Sequence, residues 1–150
     1  MRESQHEAFS AYLTRLVTKY SVKLFAEEYC TQALEEQGIP ETTVHTLAKS
    51  LDIAHCYCDL DRSTRSNLRI FQENDIRMQG FRKDWTEEEI LERIEQSHRA
   101  RERFWLERLL VMECWPVLFI CGADHAGRFA KLLRSKRVTA SIVEEDWSAP

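Results

Sequence analysis

Acidic and histidine side chains follow three short apolar segments of the chain, at positions where strands are expected to end. Glu27 and Glu28 follow the first segment, Asp59 and Asp61 follow the second, and a Gly-Ala-Asp-His turn ending at His125 follows the third. Such carboxylates and imidazoles can act as a general acid–base pair. They are also ligands for divalent ions such as Mn²⁺, Co²⁺, Mg²⁺ or Zn²⁺. The residue types therefore predict either acid–base catalysis or a divalent-metal site.

The acid–base site and the divalent-metal site are predicted to use two overlapping sets of residues. The predicted catalytic residues are His125, Glu27, Glu28, Asp61 and Arg101, and the predicted metal ligands are His125, Glu27, Asp59 and Asp61. Because strand ends form surface loops, the same acidic side chains can instead be solvated or cap helices without any chemical role. The sequence leaves this alternative open.

The Gly-Ala-Asp-His turn is the most specific of these features. Gly122 follows an apolar segment, and a glycine there lets the backbone turn sharply and lets a ligand approach closely. His125 then lies near the first turn of the next helix, where free amides favour anions. Gly122 and Asp124 are therefore candidate ligand-binding residues. In the alternative interpretation, Asp124 caps the helix and His125 lies on the surface.

An arginine interrupts the apolar stripe of a long predicted helix. Ile90 and Trp105 share one face at about 100° per residue, and Arg101 lies near the centre of that face. A buried charge is costly unless it is paired, so we expect Arg101 to bind Glu27, Glu28 or a bound anion. Alternatively, its stem lies on the core and its charged head reaches water.

The apolar segments alternate with amphipathic helices. Thr86-Glu87-Glu88-Glu89 predicts a capping box at the start of the long helix, which we expect to end near Glu113. The alternation predicts an α/β fold, a small and mainly parallel sheet flanked by helices with the long helix at its centre. Ligands bind at the carboxyl ends of such strands. The predicted strands are Ser21–Ala26, Asp52–Cys58, Pro116–Cys121, whose apolar run is typical of burial on both faces, and Val138–Val143.

Composition and length limit the classes of protein to which the chain can belong. The 150 residues predict a single α/β domain over residues 1–150. A net charge of −4 gives no general attraction to nucleic acid, which we therefore do not expect as a partner. The longest apolar run, Val117–Cys121, is too short to span a bilayer, and the polar start is no signal peptide. We therefore expect a cytoplasmic protein without a membrane partner, whose five cysteines are reduced thiols.

Four short motifs occur in order over most of residues 22–125: VKLFAEE, DLDR, RERFW, and VLFICGADH before a helix. In this arrangement the chain resembles the TraB/TIKI superfamily, whose relatives include the ChaN-like and erythromycin-esterase-like proteins. The resemblance implies an α/β domain with an acidic residue after one strand, an arginine on a helix and GxxH turns at strand ends. Some members are metal-dependent hydrolases. By position, the resemblance implies Glu27 or Glu28 as the acid, Arg101 or Arg103 as the arginine, and Gly122 with His125 as the turn.

Members of that superfamily open with a strand that ends in an earlier glycine–histidine turn. Here the chain begins in a predicted helix, and His6 follows neither a strand nor a glycine. We therefore expect a partial hydrolase-type site, metal-dependent if it is active. The competing hypothesis is a non-catalytic ligand-binding or protein-interaction module, in which an open sheet edge pairs with a second copy in a homodimer. The sequence leaves activity, substrate, metal and oligomeric state open.

Overall fold

The computed structural model describes residues 2–150, and Met1, the first residue of the predicted domain, lies outside this range. Within it, a parallel sheet of three strands forms from β1 (Leu24–Glu27), β2 (Ala54–Tyr57) and β3 (Val117–Ile120). The strand order is β2-β1-β3, so β1 pairs with both neighbours. The predicted α/β fold with a small parallel sheet is confirmed.

Helices connect the strands, and the longest of them begins as predicted. Thr86 Oγ1 accepts a hydrogen bond from the Glu89 amide at 3.2 Å, and Glu89 Oε2 accepts one from the Thr86 amide at 2.9 Å. This is the expected capping box. No helix within residues 2–150 has the length and apolar character needed to cross a membrane. The helices are α1 (Glu3–Tyr20), α2 (Thr31–Gln37), α3 (Thr43–Leu51), α4 (Arg62–Leu68), α5 (Glu73–Lys83), α6 (Glu87–Met112) and α7 (Ala123–Ser135).

The central strand β1 sends its alternating side chains into two separate cores. Leu24 and Ala26 pack with Trp105 of α6 and Phe129 of α7, whereas Phe25 packs with residues of α1 and α3. Successive side chains of a strand point to opposite faces, which explains this division. Helices therefore cover both faces of the sheet, and all four residues of β1 are buried.

Helix α5 packs against the first half of α6 in a third apolar cluster. Ile76 of α5 packs with Ile90 and Ile94 of α6. Gly80 lets the two helices approach closely, because a Cβ at this position would lie 2.7 Å from the Ile90 side chain. This packing sets α5 and α6 side by side next to α4, and residues of all three helices line a cleft.

Two expectations about the strands were wrong. The predicted strand Val138–Val143 does not form, and the described chain after α7 has no regular secondary structure. Val138 and Ala140 pack against the core, but Ile142 and Val143 are 40% and 41% exposed, so the alternating apolar residues do not make one buried face. The third strand is also not fully buried: β3 is an edge strand whose residues all remain partly exposed.

The burial of Phe25 gives a test of this packing. Replacing Phe25, which is 0% exposed, by Ala should lower the free energy of unfolding by about 3–5 kcal/mol, because it leaves a cavity beside the central strand. The matched control is Phe81→Ala at a side chain that is 89% exposed, and it should change stability by less than about 0.5 kcal/mol. Urea denaturation followed by circular dichroism measures both, and equal losses would contradict the layer arrangement.

Candidate acid–base site at the strand ends

Arg101 of α6 lies at the centre of a buried cluster of charged side chains. Its Nη2 donates to Glu28 Oε1 at 2.6 Å and to Asp59 Oδ2 at 2.8 Å, and its Nε donates to Asp59 Oδ1 at 3.2 Å. The Arg101 side chain is only 12% exposed. The prediction that Arg101 is buried and paired with a strand-end carboxylate is therefore confirmed, with Glu28, the residue directly after β1, as the partner. Arg103, the alternative arginine, is exposed.

Asp59 is the second anchor of the Arg101 guanidinium. It also accepts hydrogen bonds from Trp105 Nε1 at 3.0 Å and from Arg65 Nη2 at 2.7 Å. Burial raises the pKa of the Asp59 carboxyl, but the hydrogen bond and charge of Arg101, with the charge of Arg65, outweigh burial and hold this pKa below its ordinary value. Asp59 is therefore a carboxylate at neutral pH, and it binds the guanidinium groups of both Arg101 and Arg65.

His125, in the first turn of α7, meets this cluster from the other side. Its Nδ1 lies 2.8 Å from Glu102 Oε1, and its Nε2 lies 3.4 Å from Arg101 Nη1 and 3.5 Å from Glu28 Oε1. A guanidinium only donates hydrogen bonds, so Nε2 is the accepting nitrogen, and the proton of the neutral ring is on Nδ1, facing Glu102. The result is a carboxylate–histidine pair whose second nitrogen directs its lone pair at the Arg101 guanidinium.

Glu102 is itself held in place by Arg128 of α7. Arg128 Nε donates to Glu102 Oε1 at 3.0 Å, and Arg128 Nη2 lies 2.9 Å from the same oxygen. Burial raises the pKa of Glu102, but the hydrogen bonds from His125 and Arg128 outweigh burial and hold this pKa below its ordinary value. A charged Glu102 at neutral pH can therefore orient the His125 ring.

A second histidine, His98, lies beside His125. The two ring centroids are 4.6 Å apart, and His98 Nδ1 accepts a hydrogen bond from Arg128 Nη2 at 3.2 Å. Burial, together with His125, Arg128 and Arg101, lowers the pKa of His98, so the ring is neutral at physiological pH. Because Nδ1 accepts, the His98 proton is on Nε2.

The sequence prediction missed Glu102, Arg128 and Arg65. A signal for Glu102 was present, because His98, Arg101, Glu102 and Trp105 have the spacing i, i+3, i+4, i+7 of one helix face. An acid beside an arginine in the middle of that face marks a buried ion-pair cluster. Arg65 and Arg128 carried no comparable signal, because each lies on a polar or mixed helix whose orientation only the tertiary structure sets.

Glu27, expected in the same cluster, lies instead on the opposite face of the sheet. Its Oε2 accepts hydrogen bonds from Thr42 Oγ1 and His55 Nε2, each at 2.6 Å. His55 stacks on His45 with ring centroids 4.2 Å apart, and His45 Nδ1 lies 3.0 Å from the Tyr57 hydroxyl. The reason is strand alternation, which points Glu27 to the side of Phe25 and leaves Glu28 free to reach Arg101.

Three further predicted residues have other roles. The N-cap of α7 is Gly122 and not Asp124. The Gly122 amide donates a hydrogen bond to Glu28 Oε2 at 2.8 Å. A carboxylate of the chain itself therefore binds the amide at which a ligand was expected. Asp124 is exposed. Asp61 is the N-cap of α4, where its Oδ1 accepts a hydrogen bond from the Thr64 amide at 2.7 Å. The structure therefore does not bring Asp61 or Asp124 to the cluster around Arg101.

The predicted divalent-metal site does not fit these residues. Within residues 2–150, no group of three or more His, Cys, Asp or Glu side chains is arranged to hold a metal ion. The Arg101 guanidinium lies between Glu28 and Asp59, in the position that a cation would need. Of the four predicted ligands, Glu27 and Asp61 lie elsewhere, and only His125 and Asp59 contact the cluster.

A cleft of about 310 Å³ opens next to the cluster, with Arg101 in its wall.

Cys121 follows β3 and is the cysteine closest in sequence to His125. Burial and the nearby Glu28 and Glu102 carboxylates raise the pKa of the Cys121 thiol to about 12. Since the thiolate is the nucleophilic form, Cys121 is a protonated, structural thiol at neutral pH.

Comparison of the chain with family models, curated proteins and solved structures found no match. The resemblance to the TraB/TIKI superfamily therefore stays a prediction. Three residues of its motifs, Glu28, Arg101 and His125, do meet in one cluster. What this cluster can do follows from its own geometry.

The Arg101 ion pairs should dominate local stability. Arg101→Ala leaves two buried carboxylates without their shared partner, so the free energy of unfolding should fall by about 3–5 kcal/mol. Arg103→Ala, two residues along the same helix but exposed, is the matched control and should change stability by less than about 0.5 kcal/mol. Chemical denaturation measures both variants, and an unchanged midpoint for Arg101→Ala would show that the cluster is not stabilising.

Proposed function

We propose that this chain is a hydrolase-type α/β domain in which His125 acts as a general base and Glu102 orients it. The observation that carries this proposal is the pair of contacts on the His125 ring. Nδ1 faces Glu102 at 2.8 Å, while Nε2 accepts from Arg101 and lies beside Glu28. A carboxylate on one nitrogen and a lone pair on the other is the arrangement by which a histidine activates a hydroxyl group or water.

Each neighbour of His125 has a role in this reaction. Once Arg101 Nη1 has moved away from Nε2, a water that attacks an ester gives its proton to Nε2, and the ring becomes an imidazolium stabilised by Glu102 on Nδ1. Glu28 Oε1, at 3.5 Å from Nε2, can then accept a hydrogen bond from the new N–H. Arg101 Nη1, at 3.4 Å from Nε2, lies where it can stabilise the negative charge that develops on the substrate oxygen. The His125 ring later returns its proton to the leaving group.

The remaining features support a reaction that uses only the chain's own groups. The donor set does not fit a metal ion, and the protonated Cys121 thiol is no nucleophile. We therefore take water, rather than Cys121, as the nucleophile in this proposal. The resemblance to the TraB/TIKI superfamily, which implies Glu27 or Glu28, Arg101 or Arg103, and His125, is compatible with this choice of residues.

One observation favours a second candidate, a ligand-binding module without turnover. His125 is only 4% exposed, and Arg101 already binds both of its carboxylates. In a binding module these contacts would be permanent. In a hydrolase the Arg101 side chain or its neighbours must open when substrate enters.

Hydrolysis assays separate the two candidates. Purified chain should hydrolyse at least one of p-nitrophenyl acetate, p-nitrophenyl phosphate and bis(p-nitrophenyl) phosphate. His125→Gln should lower the rate by about 100-fold or more, because the base is removed. Glu102→Gln should also lower it, because the ring loses its orienting charge.

His6→Gln is the matched histidine control, since His6 bonds Thr43 outside the cluster, and its rate should equal that of the wild type. Circular dichroism confirms that each variant is folded. If the wild type releases no nitrophenol above the buffer rate, or if folded His125→Gln keeps the wild-type rate, the hydrolase proposal fails and the binding module replaces it.

A further inference from the structure

Two thiols lie side by side on one face of the sheet, outside the cluster around Arg101. Cys56 belongs to the edge strand β2, and Cys58 directly follows its last residue. Residues two apart on a strand point to the same face, which brings the two side chains together. The Cys58 S–H donates a hydrogen bond to Cys56 Sγ, and the two sulfur atoms are 3.4 Å apart. Both thiols are free, and the proposed hydrolysis uses neither of them.

Arg108 of α6 brings a positive charge to this pair. Its Nη2 lies 3.7 Å from Cys56 Sγ. The hydrogen bond from Cys58 lowers the pKa of the Cys56 thiol well below its ordinary value, and the charge of Arg108 helps to outweigh the opposite effect of burial. The same hydrogen bond, burial and the negative charge of Cys56 raise the pKa of the Cys58 thiol. The pair therefore favours one thiolate, at Cys56, beside one protonated thiol, at Cys58.

The two sulfur atoms differ in their distance from solvent. Cys56 is 7% exposed, whereas Cys58 is 0% exposed. Ala54, which precedes Cys56 on the same face of β2, is exposed, and so is Arg108. Solvent therefore reaches this face of the strand as far as Cys56, with Cys58 behind it. A molecule close to water in size is the kind of reagent that this narrow opening admits.

We propose that Cys56 and Cys58 form a redox-active dithiol, with Arg108 stabilising the Cys56 thiolate, which hydrogen peroxide converts into a disulfide. In the first step, Cys56 Sγ attacks one peroxide oxygen, so that an S–O bond forms as the O–O bond breaks. The other oxygen leaves as hydroxide and takes a proton from solvent. Two electrons pass from sulfur to the peroxide, and Cys56 becomes a sulfenic acid.

Cys58 completes the reaction as the second thiol. Oxidised Cys56 no longer carries the negative charge that raises the pKa of Cys58, so Cys58 loses its proton more readily. Cys58 Sγ then attacks Cys56 Sγ, and the S–S bond forms as the S–O bond breaks. The hydroxide that leaves combines with the proton from Cys58 to give water.

The spacing of the strand permits this disulfide and favours its reversal. Cα atoms two residues apart on a strand are about 6.6 Å apart, near the upper end of the range of about 4.4–6.8 Å that disulfides span. A disulfide at the long end of this range is more easily reduced than a relaxed one, so a small thiol returns the pair to its reduced form. The site goes beyond the proposed hydrolysis and does not depend on it.

Limited oxidation of the reduced full chain with hydrogen peroxide, followed by trypsin digestion and mass spectrometry, tests this proposal. Both cysteines lie in one tryptic peptide, residues 50–62, which loses two hydrogen atoms when the disulfide forms. The disulfide should form before Cys30 or Cys114 is oxidised, although both are more exposed than Cys56, because reactivity follows the thiolate. Glutathione should reverse it. Oxidation of Cys30 or Cys114 while residues 50–62 stay reduced would overturn the proposal.

Two cysteine variants separate the two steps. Cys58→Ser should stop the reaction at the sulfenic acid, so that dimedone labels Cys56, whereas Cys56→Ser should leave Cys58 unlabelled. Cys114→Ser is the matched control, and it should form the disulfide at the wild-type rate. Circular dichroism confirms that each variant is folded. A folded Cys58→Ser variant without a dimedone label at Cys56 would also overturn the proposal, and the wild-type peptide decides the outcome if this variant unfolds.

An arginine variant tests the role of Arg108. Arg108→Gln should slow formation of the disulfide by about threefold or more at neutral pH, because it removes the charge that stabilises the thiolate. Raising the pH should restore the rate. Arg103→Gln, on the same helix and exposed, is the matched control and should keep the wild-type rate. An Arg108→Gln rate equal to that of the wild type at neutral pH would contradict the role assigned to Arg108.

Discussion

The buried Arg101 guanidinium, shared between Glu28 and Asp59, is the interaction on which the rest of the site depends. A guanidinium with a side chain 12% exposed is stable only when carboxylates replace the water it has lost. Glu28 follows β1 and Asp59 follows β2, so this requirement ties α6 to the ends of two neighbouring strands. The same carboxylates also bind other elements, since Asp59 holds Trp105 and Arg65. One charged side chain thus fixes the position of the long helix over the sheet.

The third strand and its turn depend on the same ion pair. Glu28 uses Oε1 for Arg101 and Oε2 for the Gly122 amide, so the turn after β3 is bound to the carboxylate that holds α6. Helix α7 starts at this turn and brings His125 against Arg101 within its first turn. The charges balance when the histidines are neutral: Arg65, Arg101 and Arg128 face Glu28, Asp59 and Glu102. Because these charges balance, His125 is the member of the cluster whose protonation can change without breaking an arginine–carboxylate pair.

Much of the fold could be predicted from the sequence, and the errors have physical reasons. The capping box at Thr86, the three short strands and a buried Arg101 followed from local patterns. Which of Glu27 and Glu28 binds Arg101 could also have been predicted, because strand alternation places the two side chains on opposite faces. Asp61 was wrongly expected in the site, because aspartate is common both as a helix N-cap and as a ligand. Only the backbone conformation around Asp61 shows that it is an N-cap. The partners Arg65 and Arg128 could not be predicted, since their contacts depend on how whole helices pack. Val138–Val143 alternates like a strand, but no neighbour pairs with it among the described residues.

Glu102 and Arg101 together hold the neutral His125 ring with its proton on Nδ1 and its lone pair on Nε2, facing Arg101. Long-range ¹H–¹⁵N correlation spectra of the His125 ring, recorded where the ring is neutral, report which nitrogen carries the proton. We expect a single tautomer, protonated at Nδ1, in the wild type and a mixture of both tautomers in Glu102→Gln. A wild-type spectrum with the proton on Nε2 would rule out His125 as the base, because Nε2 would then be a donor facing a guanidinium.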